Sequence, residues 1–302
     1  MGFLSASTGI GGAAEVAVCG AGFVAGMIGL MVVAKYWFAK RFPTFDRLTK
    51  DNEYLGFLIV CLTYQALILP SLIAVLLYTN DVSRIDWWLS SVNLNDGVNP
   101  IVAVLCAHGA YNIKDFWFEH AIAEGDVAMW LHHFVSLGLL AAPMFGLVAN
   151  AGATAMGVFT LEVGSMMWNT LCVAKAFNWD TALLVIRPLF LLIMLWSNIA
   201  TLVILGATWG VPDHRRNYGI GECVATFAIL QLVLGRMDNA VKIEADLARK
   251  LFGECFCPAA EKTGLSDRKR FATIGAMGVV TLVLSAFATE AWLAASGLFS
   301  EA

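Results

Sequence analysis

Eight mostly apolar stretches recur along the chain, near 16–34, 54–78, 97–118, 127–149, 151–173, 181–208, 219–235 and 271–298. A bilayer core ~30 Å thick and a helical rise of ~1.5 Å per residue require about 20 such residues per crossing. Only helices or closed barrels satisfy their backbone in lipid, and runs of this length are helical. The expected fold is therefore an all-α polytopic membrane protein with about eight transmembrane helices. Composition agrees, with 14% charged and 59% hydrophobic residues, where soluble domains carry about a quarter charged. The third and fifth spans are interrupted by Asp115 and Glu162, and ionisable groups inside a membrane normally face protein or a wet cavity.

Sidedness follows from charge. If eight spans alternate, one side holds Lys35, Lys40, Arg41, Arg47, Lys50, Lys114, Lys175 and eight cations from Arg236 to Arg270, fifteen in all, against Arg84, Arg215 and Arg216 on the other. The positive-inside rule makes the first set cytoplasmic and puts both termini on the opposite side. The first 34 residues lack Lys and Arg, so the opening run has no positive n-region and reads as a retained anchor. A net charge of −4 supplies no basic excess for neutralising phosphates, which excludes a nucleic-acid partner. Five of the seven cysteines, Cys19, Cys61, Cys106, Cys172 and Cys223, lie in apolar runs as small hydrophobes.

Outside the spans, the loop 79–96 carries Trp87 and Trp88, expected as headgroup-level anchors. Residues 236–252 read as a surface helix with Ala240, Ile243, Leu247 and Leu251 on one face and Asp238, Lys242, Asp246 and Lys250 at i,i+4 spacing on another. Cys255 and Cys257 follow it; C-x-C alone is a poor zinc signal, and unmodified thiols are expected over S-acylation.

Polar residues converge in spans three to six. Helical offsets of 3, 4 and 7 place His108, Tyr111 and Asp115 on one face of span three, and Glu162, Ser165 and Asn169 on one face of span five. His132 and His133 in span four and Arg187 in span six enter from the cytoplasmic side to a similar depth, with Glu162 deeper. A single transmembrane histidine is more often a helix-to-helix hydrogen bond than a catalyst. Two adjacent histidines point about 100° apart, so one can be oriented by a carboxylate while the other faces a cavity. Asp115 fits either a scaffold pair with Arg187 or a carboxylate that holds a histidine tautomer. Arg187 precedes Pro188 and either lines a kink-opened cavity or snorkels to the interface.

Other chemistries lack their residues. The last two spans offer no lysine for a retinal Schiff base, and no H-E-x-x-H or H-x-x-x-H companion supports a metal site. Neither G-x-S-x-G nor a phosphate-binding glycine loop is present.

Three segments carry a resemblance: Y-N-I-K-D from Tyr111 to Asp115, D-V-A-M-W-L-H-H-F-V-S-L from Asp126 to Leu137, and L-E-V-G-S-M-M-W-N from Leu161 to Asn169. In their order the chain resembles the TLC-domain family, which includes the ceramide synthases and lipid-homeostasis relatives. The resemblance implies an N-terminal transmembrane anchor with a basic cytoplasmic loop over 1–49. A TLC-like domain at 50–240 follows, with six helices in a barrel around a lipid-accessible cavity. Residues 241–302 make a cytoplasmic amphipathic segment and a C-terminal transmembrane helix. It also implies an endoplasmic reticulum membrane, lipid partners and a homo-oligomer or larger membrane complex. One departure is that Ser136–Thr160 contains no His, Asp or Glu, where ceramide synthases carry a second His-Asp pair.

Two readings stay open. In the first, the chain transfers an acyl group from acyl-CoA as co-substrate to a long-chain amine such as a sphingoid base, with no covalently bound cofactor and no metal. His132 or His133 is then the base, Asp115 orients it, and Arg187 or Asn169 meets developing oxygen charge. In the second, Tyr111, His108, Glu162, Ser165, Asn169 and Arg187 recognise a lipid without any bond being made, and the chain binds, senses or moves that lipid or serves as an accessory subunit.

Overall fold

The computed structural model describes residues 11–44, 46–47, 53–93, 96–116, 127–216, 218–252 and 264–296. Cys255 and Cys257 lie outside the described residues. Those described are helical wherever they are regular, with no strand among them. The chain divides into two compact units, one of residues 1–155 with 176–178 and one of 156–175 with 179–302.

In the first unit, α1 (Gly12–Val32) continues into a π turn at Val33–Phe38. Next, α2 (Glu53–Thr63) passes through a second π turn, Tyr64–Ile68, into α3 (Leu69–Thr79). Pro70 explains that turn: it has no N–H to return to the carbonyl four residues back, and the Leu69 N–H reaches five residues back to Tyr64 instead. The short α4 (Ile85–Trp88) precedes α5 (Pro100–Asp115). Asn99 starts α5 by accepting the Val102 N–H at 2.9 Å, with Pro100 at the first helical position, where a missing N–H costs nothing. Twelve of the sixteen α5 residues are buried. This helix is the centre of its unit and packs along α1. The helix α6 (Val127–Met144) completes the set.

Trp87 departs from the expected headgroup anchor. It is buried, and its carbonyl lies so close to Gly152 that a Cβ there would collide with it. Trp88 donates its indole N–H to the Val82 carbonyl at 2.8 Å. The pair closes the loop onto the helix that starts at Ala151, whose N–H bonds to the Ser90 carbonyl.

That helix, α7 (Ala151–Ala176), contributes to the second unit from Met156 onward. It is joined there by α8 (Asp180–Trp209), α9 (Pro212–Arg216), α10 (Ile220–Ile243), α11 (Ala245–Phe252) and α12 (Gly264–Ala295). Gly206 and Gly210 on α8 face α12 so closely that a Cβ on either would strike Ser285 and the Leu282 carbonyl, or Thr289 and the Ala286 carbonyl. Such small-residue seams let membrane helices approach backbone to backbone.

The expected surface helix 236–252 is corrected. The helix α10 runs unbroken to Ile243, and Met237, Ala240 and Val241 are core residues. Ala240 and Val241 pack with Met167, Leu171, Phe190, Leu191 and Met194, so one face of this stretch belongs to the core while Asn239 and Lys242 stay exposed on the other. Only α11 remains as a separate amphipathic helix, after a break at Glu244. The spacing of Asp238 and Lys242 does produce an ion pair, at 2.6 Å.

All eight expected segments are helices. Among the described residues, five are long and apolar enough to cross a membrane: Gly12–Val32, Leu55–Thr79, Asp180–Trp209, Ile220–Ile243 and Ala272–Ala295. The other three, α5, α6 and α7, are the helices that carry most of the polar candidates.

Candidate functional site

The first unit gathers its polar residues around α5. His108 and Tyr111 share a face, as their spacing predicts, and the π turn presents two partners to it. Tyr64 Oη lies 3.3 Å from His108 Nδ1, and Gln65 Nε2 donates to Tyr111 Oη at 3.1 Å. The Tyr64 and Tyr111 rings stack with centroids 4.3 Å apart. In an ordinary α-turn the two consecutive residues would diverge by about 100°, and π turns often occur at functional places.

One turn further along α5 sits a fully buried ion pair. Lys114, with 0% of its side chain exposed, pairs with Asp115 Oδ1. The ammonium also lies 3.5 Å from Cys61 Sγ and over the Tyr111 and Phe57 rings, at 4.0 and 4.4 Å from their centroids. Buried charges persist when paired and held by further contacts, and aromatic faces stabilise a desolvated cation. The other carboxylate oxygen, Asp115 Oδ2, is 2.6 Å from His133 Nε2. His133 is buried, and the half-buried His132 meets it edge to face with centroids 5.3 Å apart. The structure thus brings Asp115 and His133 together, with His132 beside them.

Lys114 does not belong among the loop cations where its charge alone had placed it. It lies inside α5 because its amino group has a carboxylate within reach. Arg236 is corrected likewise. It projects from within α10, where Nε donates to Asn198 Oδ1 at 3.1 Å, Nη1 to Ser165 Oγ at 2.8 Å and Nη2 to the Leu161 carbonyl at 2.7 Å.

In the second unit Ser165 is held by Arg236, while Glu162 and Asn169 are buried on α7. A Thr160–Thr201 hydrogen bond of 2.8 Å ties α7 to α8 beside them. Arg187 donates to Glu244, with Nη2 2.6 Å and Nε 2.8 Å from Oε2. Lys175 approaches the other oxygen of Glu244 at 3.5 Å. Glu244 is completely buried, whereas the Lys175 and Arg187 side chains are 48% and 51% exposed.

Sequence reading missed Tyr64, Gln65, Lys114, Arg236 and Glu244 as site residues. Gln65 offered a signal, an amide inside an otherwise apolar span, and Lys114 another, as the immediate neighbour of an aspartate in an apolar stretch. Comparison with known proteins adds nothing to this. No family model, curated protein or solved structure matches the chain.

Proposed function

We propose that this chain is a TLC-type membrane protein acting on a membrane-resident amphiphile, with Asp115, His133 and His132 as its acid–base centre. The observation that carries the reading is the 2.6 Å contact between Asp115 Oδ2 and His133 Nε2. A carboxylate paired with an ammonium is an acceptor, so the histidine nitrogen facing it carries the proton and the other nitrogen of the ring holds a lone pair. A base oriented by a carboxylate is the arrangement that proton transfer needs.

The reaction is N-acyl transfer. The nitrogen of a long-chain amine forms a bond to the thioester carbonyl carbon of acyl-CoA, one histidine takes the N–H proton, the C–S bond breaks, and the imidazolium returns the proton to the leaving thiolate. All eight helices cross the membrane in this reading, six of them around a lipid-accessible cavity, in the endoplasmic reticulum and in a homo-oligomer or larger complex. The supports are the order of the three motif segments and the meeting of Asp115 with His133.

Purified protein given labelled acyl-CoA and long-chain amines tests it. Positioned proton transfer contributes about 10²–10⁴-fold in rate, so His132→Ala/His133→Ala removes product formation while the protein stays folded. Full activity in that variant would break the mechanism. A second reading, lipid binding without chemistry, is favoured by one observation: both oxygens of Asp115 are already engaged, by Lys114 and His133, an arrangement that also stands as pure scaffold. No product from the wild type, together with a lipid that copurifies stoichiometrically, selects this second reading.

A further inference from the structure

In the second unit, we propose that Lys175 and Arg187, set on the buried carboxylate of Glu244, form a binding site for a phosphate group. The proposal concerns the second unit alone and does not depend on the acid–base chemistry proposed for Asp115, His133 and His132.

Glu244 is a fixed post. Its N–H bonds to the Ala240 carbonyl at 3.3 Å and its own carbonyl accepts the Ala248 N–H at 2.7 Å, so it ends α10 and begins α11 with its side chain fully buried. One cation suffices to compensate a buried carboxylate, and Arg187 at 2.6 Å does so. Lys175, from the last turn of α7, is a second cation on the same carboxylate at a longer 3.5 Å. The trio therefore carries a net positive charge, and about half of each cationic side chain faces outward.

A ligand that takes up this surplus is an anion with several oxygens. Guanidinium offers a planar fork of donors and ammonium a compact point charge, and both are recurrent phosphate partners. A phosphate here has two sources, the headgroup of an anionic phospholipid or the phosphates of a soluble nucleotide-type cofactor such as CoA.

The test uses the full chain in phosphatidylcholine nanodiscs. One arm titrates pyrophosphate by calorimetry, and the other replaces part of the lipid with phosphatidic acid and counts retained lipids by native mass spectrometry. Binding in the first arm alone identifies a soluble phosphate, and binding in the second alone a headgroup; either supports the site. An opposite charge at ~4 Å in water changes affinity about five-fold, so Lys175→Ala weakens binding by about that factor and raised salt weakens it further. Glu244→Gln removes the competing anion and tightens binding by a similar factor. Should Glu244→Gln not fold, Lys175→Glu, a half-exposed position, carries the test by abolishing binding. The proposal is overturned if neither probe binds, if Glu244→Gln weakens binding as Lys175→Ala does, or if Lys175→Glu leaves it unchanged.

Discussion

The two units keep charge inside apolar surroundings by opposite means. On α5, Lys114 and Asp115 neutralise each other, and both are sealed among Cys61, Tyr111, Phe57 and His133. On α10, the half-buried Arg236 spreads its charge over a hydroxyl, an amide oxygen and a backbone carbonyl. The first arrangement depends on every partner being present, because a missing one leaves a bare buried charge. The second loses one hydrogen bond at a time. A tightly closed electrostatic cluster suits a place where protons are to be held, and a dispersed one suits a helix joint.

Removing one partner tests that contrast most strongly. Asp115→Asn leaves the Lys114 ammonium unpaired and is expected to cost about 3–5 kcal/mol, read as a drop in thermal midpoint in detergent. The double variant Lys114→Met/Asp115→Asn recovers most of that loss, and a double variant as unstable as the single one would show that the pair does more than neutralise itself. Arg236→Met forfeits charge-assisted hydrogen bonds of about 1.5–3 kcal/mol each in general, reduced here because the side chain is only part-buried and water can reach some of the freed acceptors. Its expected loss is therefore smaller than that of Asp115→Asn, and Arg236→Lys does not restore it, since one ammonium cannot reproduce the fork that spans Ser165, Asn198 and Leu161. Equal losses for Asp115→Asn and Arg236→Met would erase the distinction.

Smaller effects sharpen it. Gly206→Val forces Ser285 and the Leu282 carbonyl to move, an overpacking of about 1–3 kcal/mol. The destabilisation is confined to the second unit and leaves modification of Cys61 by a membrane-permeant thiol reagent unchanged. Least disruptive is oxidation with a copper–phenanthroline catalyst, which is expected to join Cys19 to Cys106, since α1 and α5 pack along each other and the two thiols lie in each other's neighbourhood. Peptide mapping reads the cross-link, and its absence would disprove that helix pairing.

The helices were legible because apolar runs of bilayer length leave the backbone little choice. Offsets along one helix also placed His108 and Tyr111 on a common face, and an adjacent pair of histidines suggested a carboxylate for one of them. Offsets state direction and not depth, which is why Lys114 and Arg236 read as ends of loops. Each is buried only because a partner elsewhere in the sequence receives it, Asp115 and Cys61 for one, Ser165 and Asn198 for the other. Tyr64 and Gln65 escaped notice for another reason: the π turn adds a residue to one turn of helix and shifts the face that a 3.6 period assigns. Glu244 was hidden by the apparent continuity of 236–252, since nothing in its neighbours marks a break.

The seam between α8 and α12 bears on how the protein is made. Gly206 and Gly210 are shaped to receive Ser285 and Thr289, yet α12 leaves the ribosome only after α10 and α11 have been synthesised. Until then the groove on α8 stands open to whatever the insertion machinery or the surrounding lipid offers. Docking of α12 therefore waits on the synthesis of everything between the two helices, so the close seam forms late in insertion and the contacts around it cannot guide the placement of α8 itself.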